Sequence, residues 1–221
     1  MKGLLTKDIL ILWRNQKRLF LIILFIGCFL PINSDATFSM TYLAIMGAMI
    51  GVTPLGYDEQ ENSMGFLLTL PVSRGAYVRE RYFFAIAAGL LCIAFGRILL
   101  FLSATFMNRE TSADSLPWLP TVFALLILAL SIGVLFPLRL HFGAEKVLIA
   151  QAGFFFIVFA GIAAIPFLIE KLTGVDVIPL IMSAIQQAGP GKTIVIACAM
   201  VLCMLMISEQ ISEYIVKKKE Y

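Results

Sequence analysis

"WLPTVFALLILALSIGVLFPL", residues 118–138, decides the class of fold. It carries no charged side chain. Its length matches the hydrocarbon core of a bilayer, which an α-helix crosses in about 20 apolar residues. Working outward, five further apolar runs lie at roughly 18–33, 38–56, 81–106, 146–169 and 192–212. The first is short unless residues at its basic end are counted. A chain in lipid must satisfy its own backbone groups, so these runs predict helices. The expected fold is an all-α membrane protein with six spans. Pro31, Pro54, Pro137 and Pro166 are expected near helix ends, where a missing N–H costs least.

Composition agrees with that class. The chain is 60% hydrophobic and 14% charged, against about a quarter charged in soluble domains. Its polar segments are too short for a soluble catalytic domain, so residues 1–221 read as a single transmembrane domain. Cys28, Cys92, Cys198 and Cys203 all lie in apolar runs without a CxxC pair, and only His141 could join them as a soft ligand. No metal site is expected, and buried reduced thiols are the plain reading. "FIGC", ending at Cys28, fits a lipoprotein cleavage box poorly, and an uncleaved first span is expected instead.

The net charge of +3 is unevenly spread. Lys2, Lys7, Arg14, Lys17 and Arg18 crowd one terminus, and Lys217, Lys218 and Lys219 the other. Arg74, Arg79 and Arg81 fall in the second connection, and Arg139 and Lys146 in the fourth. The opposite side holds only Arg109, Lys171 and Lys192. This asymmetry predicts a multi-pass protein with both termini cytoplasmic, partnered with lipid and not with nucleic acid. In residues 1–17, Leu5, Ile9, Leu12 and Trp13 recur at helical spacing. They suit an interfacial amphipathic helix, unless the segment simply extends the first span.

"QQAGPGKTIVI", residues 186–196, raises the question of nucleotide binding, because Gly191-Lys192-Thr193 matches the end of a P-loop. The glycine required five positions earlier is Gln186, and an apolar span follows. A Gly-Pro turn before a helix is the better reading. The outer connection before it suggests a short re-entrant or surface helix around 178–187.

The loop 57–80 is the longest inner connection: "YDEQENSMGFLLTLPVSRGAYVRE". Asp58, Glu59 and Glu61 are acidic, and Met64, Leu67 and Leu68 make one apolar face of a short helix. Pro71 ends that helix, and Ser73 can cap the next. A short amphipathic helix there lies on lipid or docks in a partner's groove. The inner leaflet is negative, so the acidic residues favour a partner.

From Glu59, "E-x-E-N-S-M-G-F-L-L-T-L-P-V-S-R" resembles the signature of ABC-2-type permeases. The sequence-specific likeness covers about 25 residues, while the layout of the whole chain is similar to a compact bacterial branch of that family. The resemblance implies the membrane subunit of an ATP-driven exporter in the bacterial cytoplasmic membrane. A separate cytoplasmic ATP-binding cassette subunit would hold ATP and Mg, and this chain would bind no cofactor and catalyse nothing. Glu59, Glu61, Met64, Gly65, Leu67, Leu68, Pro71 and Arg74 would form the coupling helix and its flank. Two permeases, identical or sister subunits, would pair, and the resemblance favours Gly153, Gly161 and Ala164 of the fifth span at their seam. Related compact permeases export antimicrobial or toxin peptides, including phenol-soluble modulins and lantibiotics, or confer drug resistance.

Other residues carry two readings each. Arg97 lies about 24 Å of helix rise beyond Arg81 and either lines a translocation path or snorkels outward. Gly47 and Gly51 form GxxxG, for packing inside the bundle or at a dimer seam. Glu209 and Glu213 suit interfacial charges facing Lys217, and His141 a loop residue. Phe154, Phe155 and Phe156 suit lipid-facing filler or an adaptable apolar wall. Two rival functions stand beside the permease. An intramembrane protease or lipid-modifying enzyme would need paired acids, His or Cys within the spans. A membrane scaffold or immunity protein would sequester a peptide without ATP.

Overall fold

The computed structural model describes residues 35–60, 74–107, 118–173 and 177–218, together with Thr6, Leu10, 25–27 and Phe29. Among the described residues the long helices are α1 (Ala36–Gln60), α2 (Arg74–Met107), α3 (Leu119–Thr173) and α4 (Val177–Lys218). No strand occurs among the described residues. Ala36–Tyr57, Gly75–Thr105, Leu119–Phe142 and Ser183–Lys218 are each long and apolar enough to cross a membrane. The segments expected as the interfacial helix and the first span lie almost wholly outside the described residues.

Local chemistry sets the helix starts. The carbonyl of Asp35 takes the Ser39 N–H at 3.0 Å, opening α1 behind a residue type favoured at N-caps. Trp118 accepts from the N–H groups of Thr121 and Val122, and Pro120 sits in the first turn of α3, where its missing donor costs nothing. Within α4 the backbone breaks at Gly189 (φ 75°, ψ 163°), a conformation open mainly to glycine, and Pro190 restarts the helix. The Thr193 hydroxyl bonds the Gly189 carbonyl at 2.9 Å. The stretch that mimics a P-loop is thus a Gly-Pro break, preceded by helix and not by a strand.

Small residues bring α1 and α2 together. A Cβ on Gly47 would stand 2.8 Å from the Gly89 Cα, and one on Gly51 would stand 2.7 Å from the Ala85 Cβ. A Cβ on Gly96 would stand 3.0 Å from the Met40 sulfur, in the same antiparallel register. The GxxxG of α1 therefore packs inside the bundle. In lipid, such close approach supplies the van der Waals contact that drives helix association. Gly89 also receives Leu128 of α3, and the Arg139 guanidinium of α3 lies over Gly56 of α1. The buried core joins Met40, Ala44 and Val52 of α1 to Val78 and Ala85 of α2 and to Leu128, Ile132 and Phe136 of α3.

These pairings fix direction. The end of α1, the start of α2, Arg139 of α3 and the end of α4 share one end of the bundle, the basic end. Both α4 and the first part of α3 run antiparallel to α2, hence parallel to each other. The part of α3 beyond Phe142 must therefore turn back toward the far end, so its 55 helical residues do not form one straight rod.

Two expectations change. Residues 139–146, read as a loop, are helical, and His141 is a helical, exposed residue edge-on to Phe142. The only breaker there is Gly143, about 1 kcal/mol worse than Ala in a helix. Pro54 and Pro137 sit inside α1 and α3 and not near their ends. α2 begins at Arg74, directly after the expected cap Ser73, and takes in Arg79 and Arg81.

Candidate functional site: the basic end of the bundle

The loop that the sequence singles out leaves α1 at Gln60 and enters α2 at Arg74. Glu61, Met64, Gly65, Leu67, Leu68 and Pro71 lie outside the described residues, as does the expected cap Ser73. Glu59 falls in the last turn of α1 and Arg74 opens α2; their side chains are likewise outside the description. What the structure describes is the receiving end, the first turns of α2 and everything they touch.

Those turns bury charge. Glu80 and Arg81 are 6% and 1% exposed, and the Arg81 Nε lies 3.9 Å from a Glu80 carboxylate oxygen. The Arg81 guanidinium carbon also stands 5.0 Å from the centre of the Tyr77 ring, one turn earlier on α2, within cation–π range. From α3, the Arg139 Nη1 donates to the Val52 carbonyl of α1 at 3.3 Å. So both the departing and the returning flank of the loop lie against an arginine, half-buried Arg139 on one side and buried Arg81 on the other.

The next turn of α2 reaches α4. The Tyr82 hydroxyl lies 2.6 Å from the Ser208 Oγ and 2.8 Å from the Ser212 Oγ, all three buried. Ser208 donates to the Gly133 carbonyl of α3 at 2.6 Å. The Tyr82 ring packs on Phe136 with centroids 4.5 Å apart. Nearer the rim, the Arg79 Nε stands 3.6 Å from Glu209, and a Cβ on Gly75 would come within 2.6 Å of a Glu213 oxygen. Lys217 pairs with Glu213 at 2.9 Å, as the sequence suggests, while Glu209 turns to Arg79 instead.

Sequence reasoning missed most of this cluster. It counted Arg79, Arg81 and Arg139 as loop charges and passed over Glu80, Tyr82, Ser208 and Ser212. One signal was present: Ser208 and Ser212 recur one turn apart in an apolar run. The remaining candidates lie elsewhere. Arg97 is exposed on α2, on a different face from the buried Ile93 and Gly96. Gly153 has open space around it, Ala164 is exposed and Gly161 half-buried. Cys198 and Cys203 are exposed on α4, and Cys92 is half-buried.

The profile of the family described as ABC-2 family transporter protein matches residues 3–217. The chain belongs to that family. No curated protein and no solved structure matches it. An ABC-2 permease is the membrane-spanning transport component and not itself an enzyme, and the family implies an ATP-binding partner.

Proposed function

We propose that this permease is the membrane half of an exporter driven through the loop 57–80 by a separate cytoplasmic ATP-binding cassette subunit. One observation carries the reading. The loop opens at the bundle end where Arg79, Arg81, Arg139 and Lys217 gather, the end that positive charge keeps in the cytoplasm. Both termini would then be cytoplasmic. Six spans follow if 18–33 and 146–169 also cross. The parallel course of α4 and the first part of α3 supports the second of these, because a return crossing must separate them.

In this reading Met64, Leu67 and Leu68 fill a groove on the ATPase, flanked by Gly65, Pro71 and Arg74. Glu59 and Glu61 orient the contact. ATP and Mg stay in the partner. ATP drives the cycle by binding one arrangement of the assembly better than the other. A second permease copy or a sister subunit completes the path, and the open face at Gly153 and Ala164 suits their seam. Arg97, exposed at depth, suits a path-facing cation for an acidic group on the cargo. The cargo class is a membrane-active amphipathic peptide, for which a mostly apolar bundle is suited. Equal survival of cells with and without the chain under challenge by such peptides would remove that class.

Leu67→Asp, reconstituted together with the ATPase subunit, tests the coupling. Truncating a buried anchor at an interface costs about 2 kcal/mol or more, and burying a charge costs further. ATP hydrolysis should continue while transport stops. Transport at the native rate would sink the assignment of the loop.

A further inference from the structure

The hydroxyl cluster between α2 and α4 has a direction that follows from counting protons. Each hydroxyl has one proton to give. Ser208 spends its proton on the Gly133 carbonyl, so its oxygen must accept from Tyr82. Tyr82 has then spent its own, so Ser212 must donate to Tyr82. The result is one ordered chain, Ser212 to Tyr82 to Ser208 to the Gly133 carbonyl, crossing three helices.

The last acceptor is available for a reason written in the sequence. In an α-helix the Gly133 carbonyl would take the N–H of residue 137. That residue is Pro137, which has none. A proline inside a helix usually leaves such a carbonyl at a loss; here Ser208 of α4 occupies it. The proline thus creates a docking point for another helix.

Position gives this chain its meaning. Tyr82 lies two turns beyond Arg74, where the loop re-enters the bundle. The neighbouring contacts of α2 with α4, Arg79 to Glu209 and Gly75 to Glu213, lie along the same short seam. Beyond it, α4 is largely bare: Val195, Leu202, Met206 and Ile207 are each at least 60% exposed. The last span is therefore held to α2 at one end and not along its length.

We propose that Tyr82 is a positioning residue for transport: its hydroxyl chain makes the last span travel with α2 when the loop is driven. This rests on the proposed ATP-driven function and adds to it a third moving element besides the two spans that flank the loop.

The test uses the full permease with its ATPase subunit in lipid nanodiscs. The native cysteines are replaced, and spin labels are placed at Leu91 of α2 and Met200 of α4, both exposed. The distance between labels is measured without nucleotide and with ATP trapped. The native joint should hold it the same in both states. Tyr82→Phe removes two hydrogen bonds, so the detached arrangement should rise roughly 5- to 30-fold and appear as a second distance on ATP binding. The ATPase subunit should still co-purify with this variant. Pro137→Ala guards against a trivial folding defect, since it restores the helical donor to Gly133 and favours the helix. It should loosen α4 in the same way. A native distance that shifts with nucleotide would overturn the joint while leaving the ATPase reading intact. An unchanged distribution in both variants would also overturn it. Failure of the native chain to hold any ATPase subunit would overturn both together.

Discussion

The two faces of α2 are built by opposite means. Toward α1 it presents Ala85, Gly89 and Gly96, and the backbones meet with almost no side chain between them. Toward α4 it presents Gly75, Arg79 and Tyr82, and the contact consists of hydroxyls and ion pairs confined to one end. Close packing between small residues has one good arrangement and resists sliding. Hydrogen bonds at a single end tie α4 to α2 there and leave it apart from α2 along the rest of its length, where α3 is its main neighbour. With α1 and α2 forming a frame, α4 is an arm joined to α2 at one end and backed by α3.

The sharpest way to break this comparison is at the frame. Gly51→Leu places a branched side chain into the Ala85 backbone, where nothing can give way. Overpacking costs about 1–3 kcal/mol in soluble cores, and the frame should suffer at the upper end. The expected outcome is loss of the monodisperse protein in detergent size-exclusion. A well-behaved peak with the native melting temperature would show that α1 and α2 do not meet there.

Next in size is the buried charge at the start of α2. Arg81→Leu removes the cation whose Nε lies 3.9 Å from the buried Glu80 carboxylate. Removing one member of a buried ion pair costs about 3–5 kcal/mol in soluble proteins, and nearness to the membrane surface should lower this to about 2 kcal/mol. Thermal unfolding followed by tryptophan fluorescence checks it, and Glu80→Gln in the same background should recover part of the loss. No recovery would mean that the two charges do not act as a pair.

The smallest effect belongs to the rim of the arm. Arg79 is 65% exposed at its side chain, so its pair with Glu209 is worth less than about 1 kcal/mol. Arg79→Ala should leave the melting temperature within error and weaken with salt in the same way as the native protein. A large loss would place Arg79 among the structural residues, and the rim would no longer differ from the frame.

The parts that were legible in the sequence are those that depend on one segment at a time. Apolar runs marked the helices, and the order acidic, apolar, Pro-x-Ser-Arg after Glu59 marked the family, which the match over residues 3–217 bears out. Gly189-Pro190 was readable as a break because both residues act locally. The charge cluster and the hydroxyl joint were not readable, since each needs several helices. A count of cations treats Arg81 as it treats Arg79, although one is fully buried and the other exposed. Pro137 looks like a helix end until Ser208 is seen on its freed carbonyl, and that pairing spans 75 positions of sequence. Residues 139–146 resemble a loop by polarity, yet without a proline nothing local stops the helix.

The account stands or falls on the loop having a driven partner. The direct measurement is affinity purification of the tagged chain from its native membranes in mild detergent, with mass identification of what travels with it. The account predicts a stoichiometric ATP-binding cassette subunit, present with the native chain and lost with Leu67→Asp. Recovery of the chain without any such subunit would contradict it, and a scaffold or immunity protein that sequesters a peptide without ATP would become the reading to pursue.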